Sequence, residues 1–553
     1  MFKRVFSAGI SGVEAYIVEV EVDISDGLPC FDMVGTLTQE VKEARERVKT
    51  ALKNLGFGLP AKRITVNLSP ANVRKEGCGF DLPIAMAVLA AMGYVCDDEL
   101  EKTVLIGELS LDGSIRPVRG SLSLADQARV EGFKRIVVAA ENREEAAAIG
   151  GIEVLGADDL LQVMEWMNHP DRIGHIGECG KKNRHTEAEG EVQKAEEAVI
   201  RGAESKGAQA KGRKSARSTP DFAEVSGQAV VRRAAEVAAA GMHNLLLIGP
   251  PGAGKTMIAR RIPSILPGLT REEQIEITKL HSICGQLPPG QALMTERPFR
   301  SPHHTVPPAA LIGGGRVPKP GEISLAHGGV LFLDELPEFN RYTLEALRQP
   351  LEEGRITVSR LQASWEFPAD MMVVAAMNPC PCGYYPDRNT CNCGEREIHR
   401  YLSHISRPIL DRMDICVEAP RVSYDELKSA GIKSGQADAA SQNEKSADIR
   451  SRVEKARERQ KERFLGTDIR FNSRIPASEI ERYCRLGEKE EKMMKQIFEQ
   501  MRLSARGYHR ILRVARTIAD LAGAEEIGLV HLGEAVCYRG VEEKFWGSDN
   551  RQI

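Results

Sequence analysis

The chain has 553 residues, 42% of them hydrophobic, and a formal net charge of −3, so it is long enough for about two to four domains. The near-neutral charge excludes a global basic field for nucleic acid, and an aromatic content of 5% argues against a base-stacking platform. No stretch has the length of a membrane span, and no apolar segment follows the first residues. We therefore expect a cytoplasmic protein with reduced cysteines and no membrane partner.

Residues 1–167 alternate strand-like and helix-like segments. Alternating apolar and polar residues predict strands over residues 15–23 and 63–68. Helical spacing with intervening charges predicts an amphipathic helix over 41–55, and the apolar run 82–92 predicts a helix packed inside. The pattern therefore indicates a domain that contains both strands and helices.

Two stretches of this region, Lys75–Pro83 and Gly113–Gly120, resemble the Lon-protease domain family, which has a ribosomal-S5-like α+β fold. The resemblance implies that the nucleophilic serine of that family falls at Gly79 and its activating lysine near Leu122. Neither residue supplies a hydroxyl or an amine, so a Ser–Lys dyad is absent from these positions. We expect residues 1–167 to form a non-proteolytic Lon-like domain that serves assembly or partner contact.

The composition changes at residues 168–220, which are rich in Gly, Ala, Ser and charged residues and lack a sustained apolar period. We predict a polar linker here. Its basic cluster, Lys211–Arg217, leaves two interpretations, a nucleic-acid contact or a solvated tether, and the tether is favoured.

A nucleotide site is predicted where the apolar run Leu245–Ile248 leads into a glycine-rich turn and a helix start. This is the strand–loop–helix of a P-loop, in which backbone N–H groups and the helix amino terminus surround phosphate oxygens. The lysine reaches the β- and γ-phosphates, and the threonine hydroxyl is a ligand for Mg²⁺. The residues concerned are Gly249, Pro250, Pro251, Gly252, Ala253, Gly254, Lys255 and Thr256.

Two further strand ends carry polar groups suited to ATP hydrolysis. The apolar strand ending at Leu333 is followed by Asp334, predicted to hold the Mg²⁺ shell, and by Glu335, predicted to orient and polarise the attacking water. A third strand ends at Asn378, whose amide is placed to sense the γ-phosphate. Three such strand ends in this order predict an ATPase core.

Nearly the whole chain resembles the magnesium-chelatase-like ComM/YifB family of AAA+ ATPases. The most specific stretches are Arg297–Thr305, Lys319–Val330, Asn378–Gly383 and Ser504–Tyr508. The resemblance implies an α/β multidomain protein with a P-loop AAA+ αβα core over 221–422 and a C-terminal helical lid over 423–553. It also implies a homohexameric ring that binds ATP and Mg²⁺ and drives branch migration of DNA during recombination.

Two insertions fit a motor that acts on DNA. The segment Arg300–Gly328 is too long for a plain connection, and the residues from Glu353 to Phe367 predict a β-hairpin with Arg360 near its tip. In chelatase-like AAA+ proteins both insertions point toward the pore, which implies that Arg355 and Arg360 contact phosphates. The alternative is a hairpin that exposes arginines to water.

Four cysteines follow Asn378 within fourteen positions: Cys380, Cys382, Cys391 and Cys393. Four thiolates can form a tetrahedral Zn²⁺ site, although the C-x-C spacing is tighter than the usual C-x₂-C. His399 and His404 are candidate substitutes. The sequence leaves two interpretations open, a zinc site and four reduced structural cysteines.

Arginines near the end of the core and in the lid are candidates for transition-state stabilisation. The resemblance implies that Arg412 is the arginine finger, with Arg407 as the competing residue, and that Arg506 is the sensor-2 arginine, near a helix start and reaching back to the nucleotide. A simple salt bridge is the alternative for Arg407 and Arg412. Most of the arginines that follow at helical spacing, Arg510, Arg513 and Arg516, are expected at the surface.

Three functions can be weighed from these residues. The first is a branch-migration motor on branched DNA or single-strand/duplex junctions, acting in natural transformation. The second is a chelatase-like remodeller that uses the same ring to drive a protein partner. The third, an ATP-dependent protease, is disfavoured by the missing dyad at Gly79 and Leu122.

Overall fold

The computed structural model describes residues 1–171, 220–288, 290–315, 318–359, 364–421 and 444–547. The chain divides into two units, the first comprising Met1–Ser218 with Pro288–Ala292 and the second Thr219–Leu287 with Leu293–Ile553. The basic cluster of the predicted linker lies outside the described residues.

The first unit is built on a seven-stranded mixed sheet in the order β3-β4-β2-β1-β5-β8-β9. Its strands are antiparallel at β1–β2 and β2–β4 and parallel at β3–β4, β1–β5, β5–β8 and β8–β9, while β6 and β7 form a separate pair. The strands are β1 (Phe2–Ser11), β2 (Glu14–Ser25), β3 (Cys30–Val34), β4 (Arg63–Ser69), β5 (Thr103–Leu105), β6 (Glu108–Leu109), β7 (Ile115–Arg116), β8 (Arg135–Ala139) and β9 (Glu153–Ala157).

The helices of the first unit are α1 (Gln39–Asn54), α2 (Asp81–Ala91), α3 (Asp97–Leu100), α4 (Ser121–Val130), α5 (Arg143–Ala147) and α6 (Leu160–Asn168). Every residue of α2 is buried, which confirms the internal helix predicted from its apolar run. Its buried carboxylate, Asp81, accepts hydrogen bonds from Nε and Nη2 of Arg47, at 2.6 and 2.9 Å, and from the N–H of Leu109. This pairing satisfies a charge that would otherwise be costly to bury.

The second unit contains a five-stranded parallel sheet in the order β11-β14-β17-β10-β18. The three central strands are continuous apolar runs with every residue buried, as expected of parallel strands covered on both faces. The strands of this unit are β10 (Leu245–Ile248), β11 (Phe299–Arg300), β12 (Gly313–Gly314), β13 (Lys319–Pro320), β14 (Val330–Leu333), β15 (Arg355–Ser359), β16 (Ser364–Pro368), β17 (Met372–Met377) and β18 (Ile415–Glu418).

Short helices connect these strands. They are α7 (Ala229–Gly241), α8 (Lys255–Ala259), α9 (Ile262–Ile265), α10 (Arg271–Ile283), α11 (Pro308–Ile312), α12 (Glu322–Leu325), α13 (Arg341–Glu345), α14 (Arg348–Glu353), α15 (Glu395–Leu402) and α16 (Arg407–Leu410). The predicted insertion at 300–328 contains α11, α12 and the antiparallel β12–β13 pair. Because the strands are parallel, β10, β14 and β17 end at one edge of the sheet, and their following residues meet there.

The C-terminal part is helical, as predicted: α17 (Ser446–Arg463), α18 (Ile480–Tyr483), α19 (Glu488–Gln500), α20 (Ala505–Ala522) and α21 (Leu529–Trp546). The expectation of surface arginines on α20 is wrong, since Arg510 and Arg516 are buried. Arg510 lies 3.6 Å from Asp414, and Arg516 donates to the carbonyls of Ala524 and Glu525. Within the described ranges, no helix combines the length and apolar composition needed to span a bilayer.

Candidate nucleotide site

The P-loop follows β10 at the end of the sheet where the parallel strands have their C-termini. The Gly249 N–H donates to the carbonyl of Met377 at 3.2 Å, and a Cβ at Gly249 would lie 2.3 Å from the carbonyl oxygen of Ala419. Gly252 and Gly254 have φ of +76° and +79°, a conformation that glycine adopts without a steric penalty. Glycine is therefore required for close approach at Gly249 and for backbone conformation at the other two positions.

Lys255, the first residue of α8, is buried against the loop that precedes it. Its ammonium donates to the carbonyls of Gly249 and Pro250, at 2.6 and 2.9 Å, and to Oδ1 of Asn378 at 3.1 Å. Burial lowers the pKa of Lys255, and the nearby carboxylate of Asp334 opposes this shift. The predicted P-loop lysine and the predicted γ-phosphate sensor are thus in direct contact.

The two predicted Mg²⁺ ligands also meet. The Thr256 hydroxyl donates to Oδ2 of Asp334 at 2.8 Å, although 78 positions separate them along the chain. A hydroxyl and a carboxylate are oxygen ligands of the kind that Mg²⁺ takes. Thr256 is the second residue of α8, and Asp334 directly follows β14. This oxygen pair fits the ion that a P-loop ATPase uses.

Glu335 lies beside this pair in a left-handed backbone conformation, with φ of +53°. Its side chain is 59% exposed, and its Oε2 is 3.4 Å from Nδ1 of His304. The rings of His303 and His304 are tilted by 35° with centroids 4.1 Å apart. His304 was not predicted as a site residue, although it lies within one of the stretches that carry the family resemblance. The reason is that nothing in the order of residues along the chain links it to Glu335.

An apolar cavity of about 550 Å³ lies next to Gly249 and Pro250. Gln228, which has φ of +57°, closes one side by donating to the carbonyls of Ala253 and Pro420. Mostly apolar walls with few polar groups suit an aromatic base. The other lining residues are Ala229, Val230, Val231, Ile248, Pro379, Tyr385, Pro386, Cys416, Val417, Glu418, Ala419, Cys537, Tyr538, Val541 and Phe545, none of which was predicted as a site residue.

The candidate catalytic arginines share one carboxylate. Arg412 and Arg506 approach the two oxygens of Glu352, at 2.5 and 3.4 Å, and Arg412 also donates to the carbonyl of Pro408. The side chain of Arg412 is 10% exposed, whereas that of Arg506 is 65% exposed. The competing residue, Arg407, donates to the carbonyl of Trp546 at 3.0 Å. The structure therefore brings Arg412 and Arg506 together and places Arg407 in a different contact.

A buried polar network connects the core to the lid behind Arg412. Asp414 lies 3.5 Å from Nδ1 of His243 and 3.6 Å from Arg510 of α20, and it accepts the N–H of Asn244. Asn244 in turn donates to the carbonyl of Arg412. Burial opposes ionisation of Asp414, but His243 and Arg510 lower its pKa to about 2. These polar contacts therefore join Arg510 of α20 to the backbone of Arg412 through Asp414 and Asn244.

The predicted hairpin is present, since β15 and β16 are antiparallel from Arg355–Pro368 to Ser359–Ser364. Arg355 lies at its base, 57% exposed, with Glu366 at 3.5 Å and Glu353 at 3.8 Å. Exposed pairs of this kind are weak, so the guanidinium is free to exchange partners. Arg360 lies outside the described residues.

The four cysteines after Asn378 form one cluster, with their Sγ atoms all within 4.8 Å of one another. Cys380, Cys391 and Cys393 are buried and Cys382 is half-buried. Burial raises the pKa of Cys382, but the Tyr384 N–H and the neighbouring thiols outweigh it and lower that pKa to about 6. Of the candidate substitutes, His404 bonds the carbonyl of Pro337 through Nδ1, and His399 lies on α15.

In the first unit, the positions aligned with the Lon dyad hold no nucleophile. Gly79 has the side chains of Ile106 and Val118 next to where a Cβ would lie, and Leu122 is completely buried in α4. An apolar side chain packed in a helix cannot activate a hydroxyl. The expected lack of a Ser–Lys pair at these positions follows from the residues themselves.

Three family models match the chain. "Magnesium chelatase, subunit ChlI" matches residues 221–427, "Subunit ChlI of Mg-chelatase" matches 20–142, and "Magnesium chelatase, subunit ChlI C-terminal" matches 443–539. These matches cover the nucleotide site, much of the first unit and most of the helical C-terminal part.

Relatives of similar length extend the comparison to nearly the whole chain. The chain is 41% identical over 537 residues to the competence protein ComM of Haemophilus influenzae, covering 97% of each protein. It is 41% identical over 531 residues to YifB of Salmonella typhimurium, covering 96% of each. Lon protease 2 of Bacillus subtilis is 28% identical over 145 residues, which are 24% of this chain and 26% of that protein.

Proposed function

The chain belongs to the ComM/YifB family of magnesium-chelatase-like AAA+ ATPases with a Lon-like N-terminal region, and from that premise we propose that it is an ATP-hydrolysing motor that moves branched DNA. The observation that carries the proposal is the convergence of Lys255, Thr256, Asp334 and Asn378 at one edge of the sheet. The family implies ATP and Mg²⁺ as cofactors.

The residues of the site divide the work of hydrolysis. Lys255 would neutralise phosphate charge, and Thr256 with Asp334 would hold Mg²⁺, which would offset the charge of the β- and γ-phosphates. Glu335 orients and polarises the attacking water. Asn378 holds Lys255 by hydrogen bond and senses the phosphate, which makes its strand, β17, responsive to the nucleotide.

The proposed working form is a homohexameric ring. A guanidinium stabilises transition-state charge only when it reaches the phosphate, and the contacts of Arg412 within its own chain are Glu352 and the Pro408 carbonyl. Since Arg506 shares Glu352, we place both arginines at the subunit boundary, serving the nucleotide of a neighbour. This changes the expectation for Arg506, for which the resemblance to the sensor-2 motif implied a side chain that reaches back to the nucleotide.

The proposed DNA contact is the β15–β16 hairpin with Arg355 and Arg360. The hairpin immediately precedes β17, the strand that ends at Asn378, so a change in nucleotide state can be transmitted to it. An arginine on a hairpin binds DNA phosphates through its charge and makes no base-specific contact. This suits a motor that must act on any DNA sequence. The match to a competence protein supports a role in transformation. We propose branched DNA or single-strand/duplex junctions as the substrate and the cytoplasm as the location.

The proposed domain division follows the sequence boundaries: a non-proteolytic Lon-like domain over 1–167, a polar linker over 168–220, an ATPase core over 221–422 and a lid over 423–553. The Lon-like domain serves assembly or partner contact in this proposal. The second candidate function, a chelatase-like remodeller of a protein partner, draws on the family models, whose descriptions name a magnesium chelatase subunit.

An assay on synthetic Holliday junctions and forked duplexes separates these functions. The full-length protein with ATP and Mg²⁺ is expected to migrate the branch, and Lys255→Ala is expected to lose migration because it loses nucleotide binding. ATP hydrolysis that DNA does not stimulate, together with nucleotide-dependent binding of a protein partner, would instead support the remodeller.

A further inference from the structure

The four thiols of the cysteine cluster have the spacing of a metal site. The Sγ of Cys380 is 3.3 Å from that of Cys382 and 3.8 Å from that of Cys391, and the Cys382 and Cys391 sulfurs are 3.6 Å apart. Sulfur atoms at the corners of a tetrahedron around Zn²⁺, with Zn–S bonds of about 2.3 Å, lie about 3.8 Å apart. We propose that Cys380, Cys382, Cys391 and Cys393 bind one Zn²⁺ ion that holds the wall of the nucleotide site.

The geometry favours a metal over disulfide bonds. A disulfide needs an S–S distance of about 2.05 Å, well below any separation in the cluster, and the four cysteines are free thiols. Tetrahedral sulfur ligation suits Zn²⁺, and the separations are too short for thiolates spread around a polynuclear iron–sulfur cluster. The Tyr385 N–H lies 3.4 Å from the Cys380 sulfur, where it offsets thiolate charge.

The loop that carries these cysteines has no regular secondary structure. Residues 378–394, between β17 and α15, contain no helix or strand. Long connections without secondary structure are uncommon in compact domains unless they are functional or cross-linked. A single ion that binds cysteines from both ends of this loop would stabilise it in the absence of helix or strand hydrogen bonds, as structural zinc does in small domains.

The same loop packs on the P-loop. A Cβ at Gly383 would lie 2.4 Å from Cδ of Pro251, so the loop backbone lies directly against the Pro251 ring at that point. Pro379 and Tyr385 line the apolar cavity beside Gly249 and Pro250, and Asn378 accepts the hydrogen bond of Lys255. Zinc would therefore fix the position of one wall of the nucleotide pocket. This second step rests on the proposed function of that pocket, whereas metal binding does not.

Metal content tests the first step. Full-length protein purified without chelator is expected to contain about one zinc per chain by elemental analysis. Cys382→Ser removes the most accessible ligand and is expected to lose most of the zinc, whereas Cys382→His supplies a nitrogen ligand and is expected to retain it. Cys96→Ser, which removes an exposed cysteine of the first unit, is the matched control and should keep full zinc content. Folded protein without metal, or with iron in place of zinc, would overturn the assignment.

Nucleotide affinity tests the second step. Zinc is withdrawn from the wild-type chain with a thiol-reactive mercurial and a chelator, then restored after reduction, and binding of a fluorescent ATP analogue is followed by anisotropy. Affinity is expected to fall by about tenfold on removal and to return with zinc. Unchanged affinity in zinc-free protein would overturn the coupling and leave the metal site intact. Failure of the zinc-loaded protein to bind nucleotide would instead contradict the proposed function.

Discussion

The ammonium of Lys255 lies 3.1 Å from Oδ1 of Asn378, and the contact joins the first residue of the helix after β10 to the residue that directly follows β17. Burial lowers the pKa of Lys255, the carboxylate of Asp334 opposes that shift, and the ammonium donates three hydrogen bonds to oxygen atoms. An incoming γ-phosphate would compete for the same ammonium. The Lys255–Asn378 bond is thus the point at which nucleotide binding would first be transmitted to a neighbouring strand.

We predict that Glu335→Gln separates nucleotide binding from hydrolysis. The amide preserves the shape of the side chain but removes the charge that polarises water, so turnover is expected to fall by about 10²- to 10⁴-fold with binding retained. Lys255→Ala should weaken binding itself by about 10- to 100-fold, because charge-assisted hydrogen bonds are lost. Steady-state hydrolysis and equilibrium binding measure the two effects. Wild-type turnover in Glu335→Gln would show that the assignment is wrong.

We predict that His304 restrains Glu335 in the chain without nucleotide. A carboxylate bound to an imidazole at 3.4 Å is less free to orient water, and an exposed contact of this kind is worth about 0.5–1 kcal/mol. His304→Ala is therefore expected to raise basal ATP hydrolysis by about two- to fivefold. His169→Ala is the control, because His169 is an exposed histidine of the first unit. Equal or lower hydrolysis in His304→Ala would contradict the restraint.

Arg412 is predicted to act on the nucleotide of the neighbouring subunit. Mixed rings of Arg412→Ala and Lys255→Ala subunits should recover part of the hydrolysis lost in either pure ring, because one type of interface then retains both groups. Arg407→Ala subunits still contain Arg412, so recovery in mixed rings of Arg407→Ala and Lys255→Ala would not show which arginine is the finger. Pure Arg407→Ala rings are therefore measured as well. Those rings should remain active, since Arg407 contacts the Trp546 carbonyl. Inactive mixed rings of verified assembly would count against this role.

The β15–β16 hairpin is predicted to grip DNA. Arg355→Ala combined with Arg360→Ala removes two phosphate contacts per subunit, so binding should weaken equally on all sequences, with a shallower dependence on salt. Basal hydrolysis should persist while DNA stimulation and branch migration are lost. Neutralising Lys211, Arg213, Lys214 and Arg217 of the linker is the matched control and should leave migration nearly intact. An essential linker beside a dispensable hairpin would falsify the pore contact.

Asp414 is predicted to stabilise the link between core and lid through its charge. Because its folded pKa of about 2 lies below that of an unfolded aspartate, its contribution is fully present above about pH 4 and is lost as the pH falls toward 2. Asp414→Asn removes the carboxylate paired with buried Arg510 and is expected to cost about 3–5 kcal/mol. Thermal unfolding across this pH range measures both effects. Asp448→Asn removes an exposed carboxylate and should change little; an equal loss there would contradict the prediction.

Much of the nucleotide site could be predicted because its signals are local. Gly249, Lys255 and Thr256 stand at fixed spacings after an apolar strand, and Asp334 and Asn378 directly follow two others. Parallel strands bring their C-terminal ends to one edge whatever the rest of the chain does, so the pattern alone predicts that these residues meet. The helix α2 and the hairpin were predictable for the same reason, since their periodicity is contained in a few consecutive residues.

Only the tertiary structure decided which side chains meet when they belong to segments that no local sequence pattern connects. Glu352 joins Arg412 to Arg506, and His304 meets Glu335, through side chains whose approach depends on how α14, α20 and the insertion pack. The burial of Arg510 and Arg516 was mispredicted because helical periodicity identifies a charged face but not the carboxylates and carbonyls that another element supplies to it. Which groups distant in sequence come into contact depends on how the helices and strands pack, and that packing is determined by the whole fold.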